Sequence, residues 1–225
     1  MVRSPPRDEP PVPEDADVRR LAPDVRAELS SLAPDNAARV GRHLVAAGDL
    51  LEGNPTAALA HARAARRTAG RLPTVREAVG VAAYAAGQWQ EALTELRAVR
   101  RMTGDPSHLP LMADSERGLG RPERALDLAA SADAGRLDAA ATAELRIVQA
   151  GARRDLGELD AALVILQDAG VHANEVQAWT VRLWYAYADT LEAAGRPGEA
   201  RRWFEAVLAS DDDEQTDAAE RLALS

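Results

Sequence analysis

His43, His61, His108 and His172 are the side chains best suited to moving a proton or holding a metal near neutral pH. They lie far apart in sequence, and none forms an HExxH or related helical ligand pair. No cysteine is present, which excludes a thiolate nucleophile, a disulfide framework and Cys-based zinc or iron–sulfur sites. Ser30, Ser31, Ser107, Ser115 and Ser131 lack a nucleophile-elbow context, and acidic neighbours such as Asp155 and Glu158 are what any charged helix carries. No GxxxxGK[ST] or GxGxxG loop occurs, and Gly135-Arg136 is not a phosphate loop. Each histidine therefore reads as a surface or half-buried residue. The chain reads as a non-enzyme without cofactor or metal.

The remaining candidate chemistry is that of arginine. All 27 basic side chains are Arg, set against 36 acids for a net charge of −9. The isoelectric point near 5.0 argues against a general nucleic-acid binder. Yet Arg63-Ala64-Ala65-Arg66-Arg67-Thr68-Ala69-Gly70 returns 34 residues later as Arg97-Ala98-Val99-Arg100-Arg101-Met102-Thr103-Gly104. On neighbouring helices, Arg63, Arg66, Arg67, Arg97, Arg100 and Arg101 are expected side by side on the outer surface. They either offset helix macrodipoles and solvate the surface, or form an anion-binding patch for an acidic protein segment or RNA phosphates. The charge is partitioned accordingly, with ten Arg against five acids over residues 39–101 and 12 Arg against 22 acids over residues 113–225.

The elements that must position these groups are helical. Aromatic residues make up 4% of the chain and alanine is abundant, which favours closely packed helices over sheets. Residues 1–21 are rich in proline and acids and poor in apolar surface, and read as a disordered tail. No apolar run there suits a secretion signal, and none elsewhere approaches membrane-spanning length, so a soluble cytoplasmic protein is expected. From about residue 22 the hydrophobic period is helical. Prolines 23, 34, 55, 73, 106, 122 and 197 mark first turns, and glycines 48, 70, 87, 104, 120, 157 and 195 mark ends. The predicted helices are 23–32, 35–52, 55–69, 73–86, 89–103, 107–118, 122–132, 139–156, 158–168, 174–194, 197–209 and 216–223. Residues 22–210 form the repeat domain, and 211–225 an acidic linker with a capping helix whose Leu222 should pack near Trp203 and Phe204.

One motif is written four times: Gly87-Gln88-Trp89-Gln90-Glu91-Ala92, Gly120-Arg121-Pro122-Glu123-Arg124-Ala125, Gly157-Glu158-Leu159-Asp160-Ala161-Ala162 and Gly195-Arg196-Pro197-Gly198-Glu199-Ala200. Seven residues before each glycine stands Gly80, Ala113, Ala150 or Ala188, and nine after it Leu96, Ala129, Leu166 or Phe204. Small residues let two helices approach, glycine makes the turn, and larger side chains fill the space to the next hairpin. A divergent fifth copy precedes these around Gly48. The pattern over roughly residues 35–210 resembles the tetratricopeptide repeat (TPR) family. The bulky first-helix aromatic of the family is matched only by Trp184, with Arg76, Leu109 and Arg146 in the equivalent places.

The resemblance implies an all-α, right-handed superhelical solenoid of about five hairpins with capping helices at both ends. It also implies a non-catalytic scaffold or adaptor that binds a peptide or helix of a partner along the groove lined by first helices. Positions three and six before the turn glycines place Arg42, Tyr84, Asp114, Arg117, Arg154 and Asp189 on that surface. With no lysine in the chain, the Lys/Asn carboxylate clamp of some family members is absent. The alternative is an RNA- or ribonucleoprotein-associated module using the Arg63–Arg101 patch. Nucleic acid is the less favoured partner, a membrane is not expected, and a homo-oligomer is left open.

Overall fold

Proline costs no hydrogen bond in the first turn of a helix, where the N–H has no intrahelical acceptor, and its fixed φ already suits the helix. The computed structural model describes residues 9–172, 176–211 and 216–224 and holds twelve α-helices among them. They are α1 (Pro23–Leu29), α2 (Pro34–Leu50), α3 (Pro55–Ala69), α4 (Pro73–Ala85), α5 (Trp89–Thr103), α6 (Leu109–Gly118), α7 (Pro122–Ala129), α8 (Ala139–Asp155), α9 (Leu159–Asp168), α10 (Thr180–Ala193), α11 (Pro197–Leu208) and α12 (Ala218–Leu224). Prolines open six of them at the expected positions. Asn54 and Asp138 cap α3 and α8 by accepting from the amides of Ala57 and Ala141 at 3.1 and 2.8 Å.

Two differences from the expected boundaries have local causes. Pro106 does not open α6; the helix begins at Leu109 with Pro110 in its first turn. Helix α10 begins at Thr180 rather than 174, and part of the intervening stretch lies outside the described residues. Short 3-10 turns cover Val18–Arg20 and Ala132–Arg136, the second where extra residues separate two hairpins.

The chain divides into two units, Met1–Asp105 and Pro106–Ser225. The first holds the hairpins α2–α3 and α4–α5, with α1 packed on α2. The second holds α6–α7, α8–α9 and α10–α11, with α12 against α11. Within each unit first helices also touch first helices, α2 with α4, α6 with α8 and α8 with α10.

The repeated positions do what their sizes dictate. Gly87, Gly120, Gly157 and Gly195 take φ of 68, 69, 77 and 73°, which turns the chain from one helix to the next. Ala92, Ala125, Ala162 and Ala200 are buried at the helix crossings. Gly80 is required for another reason, since a Cβ there would stand 2.6 Å from Leu96 Cδ2. Gly48 lies inside α2 without a positive φ, so the first hairpin turns instead through Leu51–Asn54, which is how the fifth copy diverges.

The N-terminal segment differs from its reading as a tail. Residues 1–8 lie outside the described residues, but from Glu9 onward the chain packs on α2 and α3. Ala16 is buried, and Val18 sits where a Cβ on Gly41 would approach it to 2.9 Å. Polar anchors reach this proline-rich stretch from α2, and no hydrophobic period is needed to place it. At the other end, Ala218 is buried and Leu222 packs into the cluster that contains Trp203 and Phe204, although most of the acidic linker lies outside the described residues.

Candidate interaction surfaces

In the second unit the first helices α6, α8 and α10 carry a ladder of paired charges. Arg117 donates from Nη1 to Asp114 Oδ1 at 2.7 Å and from Nε to Asp155 Oδ2 at 2.8 Å, joining α6 to α8. Gly151 makes room for it, because a Cβ at that position would lie 2.6 Å from the Arg117 guanidinium carbon. Arg154 continues from α8 to α10, donating to Asp189 Oδ2 at 2.5 Å. Arg221 of α12 donates to Asp189 Oδ1 at 2.9 Å and also pairs with Glu192. The repeat register explains the pattern: the arginine three before one turn glycine meets an acid on the next first helix.

A cleft of about 420 Å³ opens beside this ladder. Arg117, Arg154, Arg182, Tyr185, Asp189 and Asp217 are among its lining residues. Arg182 pairs with Glu144 at 2.9 Å, and Tyr185 donates from its hydroxyl to Asp217 Oδ1 at 2.5 Å. Burial together with the Asp217 carboxylate pushes the Tyr185 hydroxyl up to about 12. Burial would raise Asp189, but hydrogen bonds and charge from Arg154 and Arg221 outweigh it and hold the carboxyl below its ordinary value. Burial raises the carboxyl of Glu144, against the opposing charge of Arg182.

Of the six residues placed in the groove by register, the second unit thus holds Asp114 and Arg117 in one set of ion pairs and Arg154 and Asp189 in another. Tyr84 and Arg42 belong to the first unit. Tyr84 packs edge-on against Trp89 at 5.5 Å and adjoins the buried cluster of Ala82, Ala83 and Ala92. Arg42 donates from Nη2 to the Pro13 carbonyl at 2.8 Å, so it holds the N-terminal segment. The first-helix side of this unit carries an apolar depression of about 270 Å³ lined by Val25, Leu44, Leu51, Ala78 and Val81 among others.

The repeated arginines lie on second helices of the first unit. Arg63, Arg66, Arg67, Arg97 and Arg101 are exposed and Arg100 is half-buried, on α3 and α5. They are not a bare positive patch. Arg63 pairs with Glu91, and Arg66 and Arg76 converge on Glu95 at 2.9 and 2.8 Å. Glu95 is only 1% exposed. Arg67 lies 3.7 Å from Glu9.

Sequence reasoning missed the buried histidines. His43 and His61 are 1% and 5% exposed, not surface residues, and their Nδ1 atoms are 3.0 Å apart. They stand 18 residues apart on the two helices of one hairpin, and the divergent register of that repeat hid their meeting. Asp155 and Tyr185 were legible in principle, since Asp155 follows Arg154 directly and Tyr185 stands one helical turn before Asp189 on the same first helix.

A repeated hairpin of two helices, with small residues at the crossing and a left-handed glycine at the turn, defines a helical-repeat protein. Comparison places it more narrowly. Residues 181–225 match the Tetratricopeptide repeat family model. The crystal structure of TTC0263, a thermophilic TPR protein of Thermus thermophilus, superposes with a TM-score of 0.62 at 22% identity, over 82% of this chain and 99% of that one. No curated protein sequence matches the chain. The chain thus has the fold of a tetratricopeptide repeat protein, and its residues 181–225 match that family's model.

Proposed function

We propose that the chain is a non-catalytic interaction scaffold whose cleft on α6, α8 and α10 receives a peptide or helix of a partner protein. The observation that carries this reading is the convergence of Arg117, Arg154 and Asp189 on one concave surface, at positions that repeat register assigns to the first-helix face. Its chemistry suits a polypeptide. A guanidinium offers five donors, of which one carboxylate takes at most two, so the ladder leaves N–H groups for main-chain carbonyls. Its carboxylates accept from a partner's N–H groups, and the Tyr185 ring adds apolar area beside them. Paired charges also limit the desolvation cost of covering the cleft.

Affinity purification with quantitative mass spectrometry, comparing the wild-type chain with Arg154→Gln, tests this. A partner seated in the cleft should be depleted about tenfold, equivalent to ~1.4 kcal/mol, while helicity is unchanged. Equal enrichment by a folded variant would remove the cleft from the reading. The alternative, RNA bound along Arg63 to Arg101, draws less support, because Glu9, Glu91 and Glu95 pair with Arg67, Arg63 and Arg66 and reduce the field a phosphate backbone would meet.

A further inference from the structure

The N-terminal segment is bound to the first repeat in the manner of a peptide ligand. Its contacts are made at separated anchor points along a segment that runs without regular structure to Pro13, turns there with the Ala16 amide donating to the Pro13 carbonyl, and ends in the 3-10 helix Val18–Arg20. Glu9 inserts its carboxylate among His43, Arg39 and Arg67, and its side chain is 8% exposed. Four residues on, the Pro13 carbonyl accepts from Arg42 at 2.8 Å. Ala16 is buried, Val18 fills the notch left by Gly41, and Arg20 donates to Asp49 Oδ2 at 2.8 Å. Prolines 10 and 11 lie between the first two anchors, and Pro13 is itself the second. They restrict the free segment to extended conformations and carry no N–H that burial would leave unsatisfied. Little entropy is therefore lost when such a segment docks, which is the reason proline-rich ligands recur in peptide recognition.

The Glu9 pocket is built to a defined hydrogen-bond polarity. An ionised carboxylate only accepts, so His43 donates to Glu9 Oε1 from Nε2 at 2.9 Å. Burial disfavours the charged form of both rings, and a neutral His43 then has a bare Nδ1. The Nδ1 of His61 stands 3.0 Å from it and must carry the proton. His61 therefore fixes the tautomer of His43, and His43 presents a donor to the carboxylate. A glutamine in place of Glu9 would lose the charge that Arg39 and Arg67 face.

We propose that the α2–α3 face bearing Arg39, Arg42, His43 and Arg67 is a peptide-binding site specific for a glutamate followed by prolines, filled in this chain by its own residues 9–20. The segment is a latch held in cis, and the same sequence supplied in trans competes for the site once the latch is weakened. This site shares no residue with the cleft on α6, α8 and α10, so either can fail without the other.

The probe is a fluorescent synthetic peptide of residues 9–21, titrated into the full-length chain. Wild-type protein, whose site is filled, should bind it weakly. The Glu9→Gln, Val18→Ser protein should bind it about tenfold or more tightly, and the same peptide carrying Glu9→Gln should lose that gain. Equal binding to both proteins, or binding indifferent to the peptide's glutamate, overturns the proposal. Should the double variant lose helicity, amide hydrogen exchange on the full-length Glu9→Gln protein decides instead. Protection across residues 12–20 should fall about tenfold or more while α2 and α3 stay protected, and unchanged protection overturns the latch. Nitrogen-15 spectra of the histidine rings give an independent reading: His43 protonated on Nε2 and His61 on Nδ1 in the wild type, with that assignment lost in Glu9→Gln. A wild-type His61 protonated on Nε2 would contradict the proposed pocket.

Discussion

A Cβ at Gly80 would stand 2.6 Å from Leu96 Cδ2 and 2.8 Å from its Cγ, whereas one at Gly48 would meet nothing within 4 Å. Gly80→Ala should therefore strain the α4–α5 crossing and cost about 1–3 kcal/mol. Gly48→Ala, in an exposed helical position, should gain about 0.5–1 kcal/mol. Urea denaturation of the two variants checks both signs. The small residue at position 80 was legible because three later copies repeat it as alanine. The His43–His61–Glu9 relay was not, because its members come from an irregular N-terminal segment and two helices, and no sequence period links them. Its pH dependence follows from burial. Both rings have depressed values, so the stability they contribute is present above the ordinary histidine range, about 6.5, and is lost as pH falls through their folded values. Glu9 is also depressed, since His43, Arg39 and Arg67 outweigh the effect of burial, and its contribution is lost only at still lower pH. Protection of residues 12–20 against hydrogen exchange, taken relative to the intrinsic rate at each pH, should accordingly fall between neutral and mildly acidic solution in the wild type, and pH-independent protection would contradict this.

Helices were the most legible level, because proline, glycine and the apolar period marked both ends of nearly every one. Helices α3 and α5 run over the expected 55–69 and 89–103. Legibility fell where a marker was ambiguous, as at Pro106 and Pro110, or where binding rather than periodicity fixes the backbone, as from Glu9 to Leu21. Two predictions belong at this scale. Ala162 is fully buried where α8 and α9 cross, so Ala162→Leu should overpack that hairpin by about 1–3 kcal/mol, seen as a lowered melting temperature. Removing the residues after Ser210 would strip Ala218 and Leu222 from the cluster formed by α10 and α11. It would also remove Arg221, which lies 5.1 Å over the Phe204 ring and pairs with Asp189. The truncated chain should aggregate or dimerise at concentrations where the full chain does not, as light scattering would show.

At the scale of the molecule, repetition was readable and its use only in part. Register set Asp114, Arg117, Arg154 and Asp189 at fixed offsets from the turn glycines, and all four lie on first helices of the second unit. Register does not foretell the contacts of Arg42 with the Pro13 carbonyl and of Tyr84 with Trp89. The repeated arginines of α3 are likewise tied to acids that only the folded hairpins bring near. Reversing Arg66 to Glu would set a like charge beside the buried Glu95, so that substitution tests stability as well as binding. The scaffold reading is best tested where the surface can be probed without dismantling the ladder. A photo-reactive amino acid placed at Arg182, which lines the cleft and whose side chain is 57% exposed, should form covalent adducts with a partner protein in living cells. One placed at Val164, 53% exposed on the second helix α9, should not. Adducts from position 164 with none from position 182 would contradict the assignment of the first-helix cleft as the interaction site.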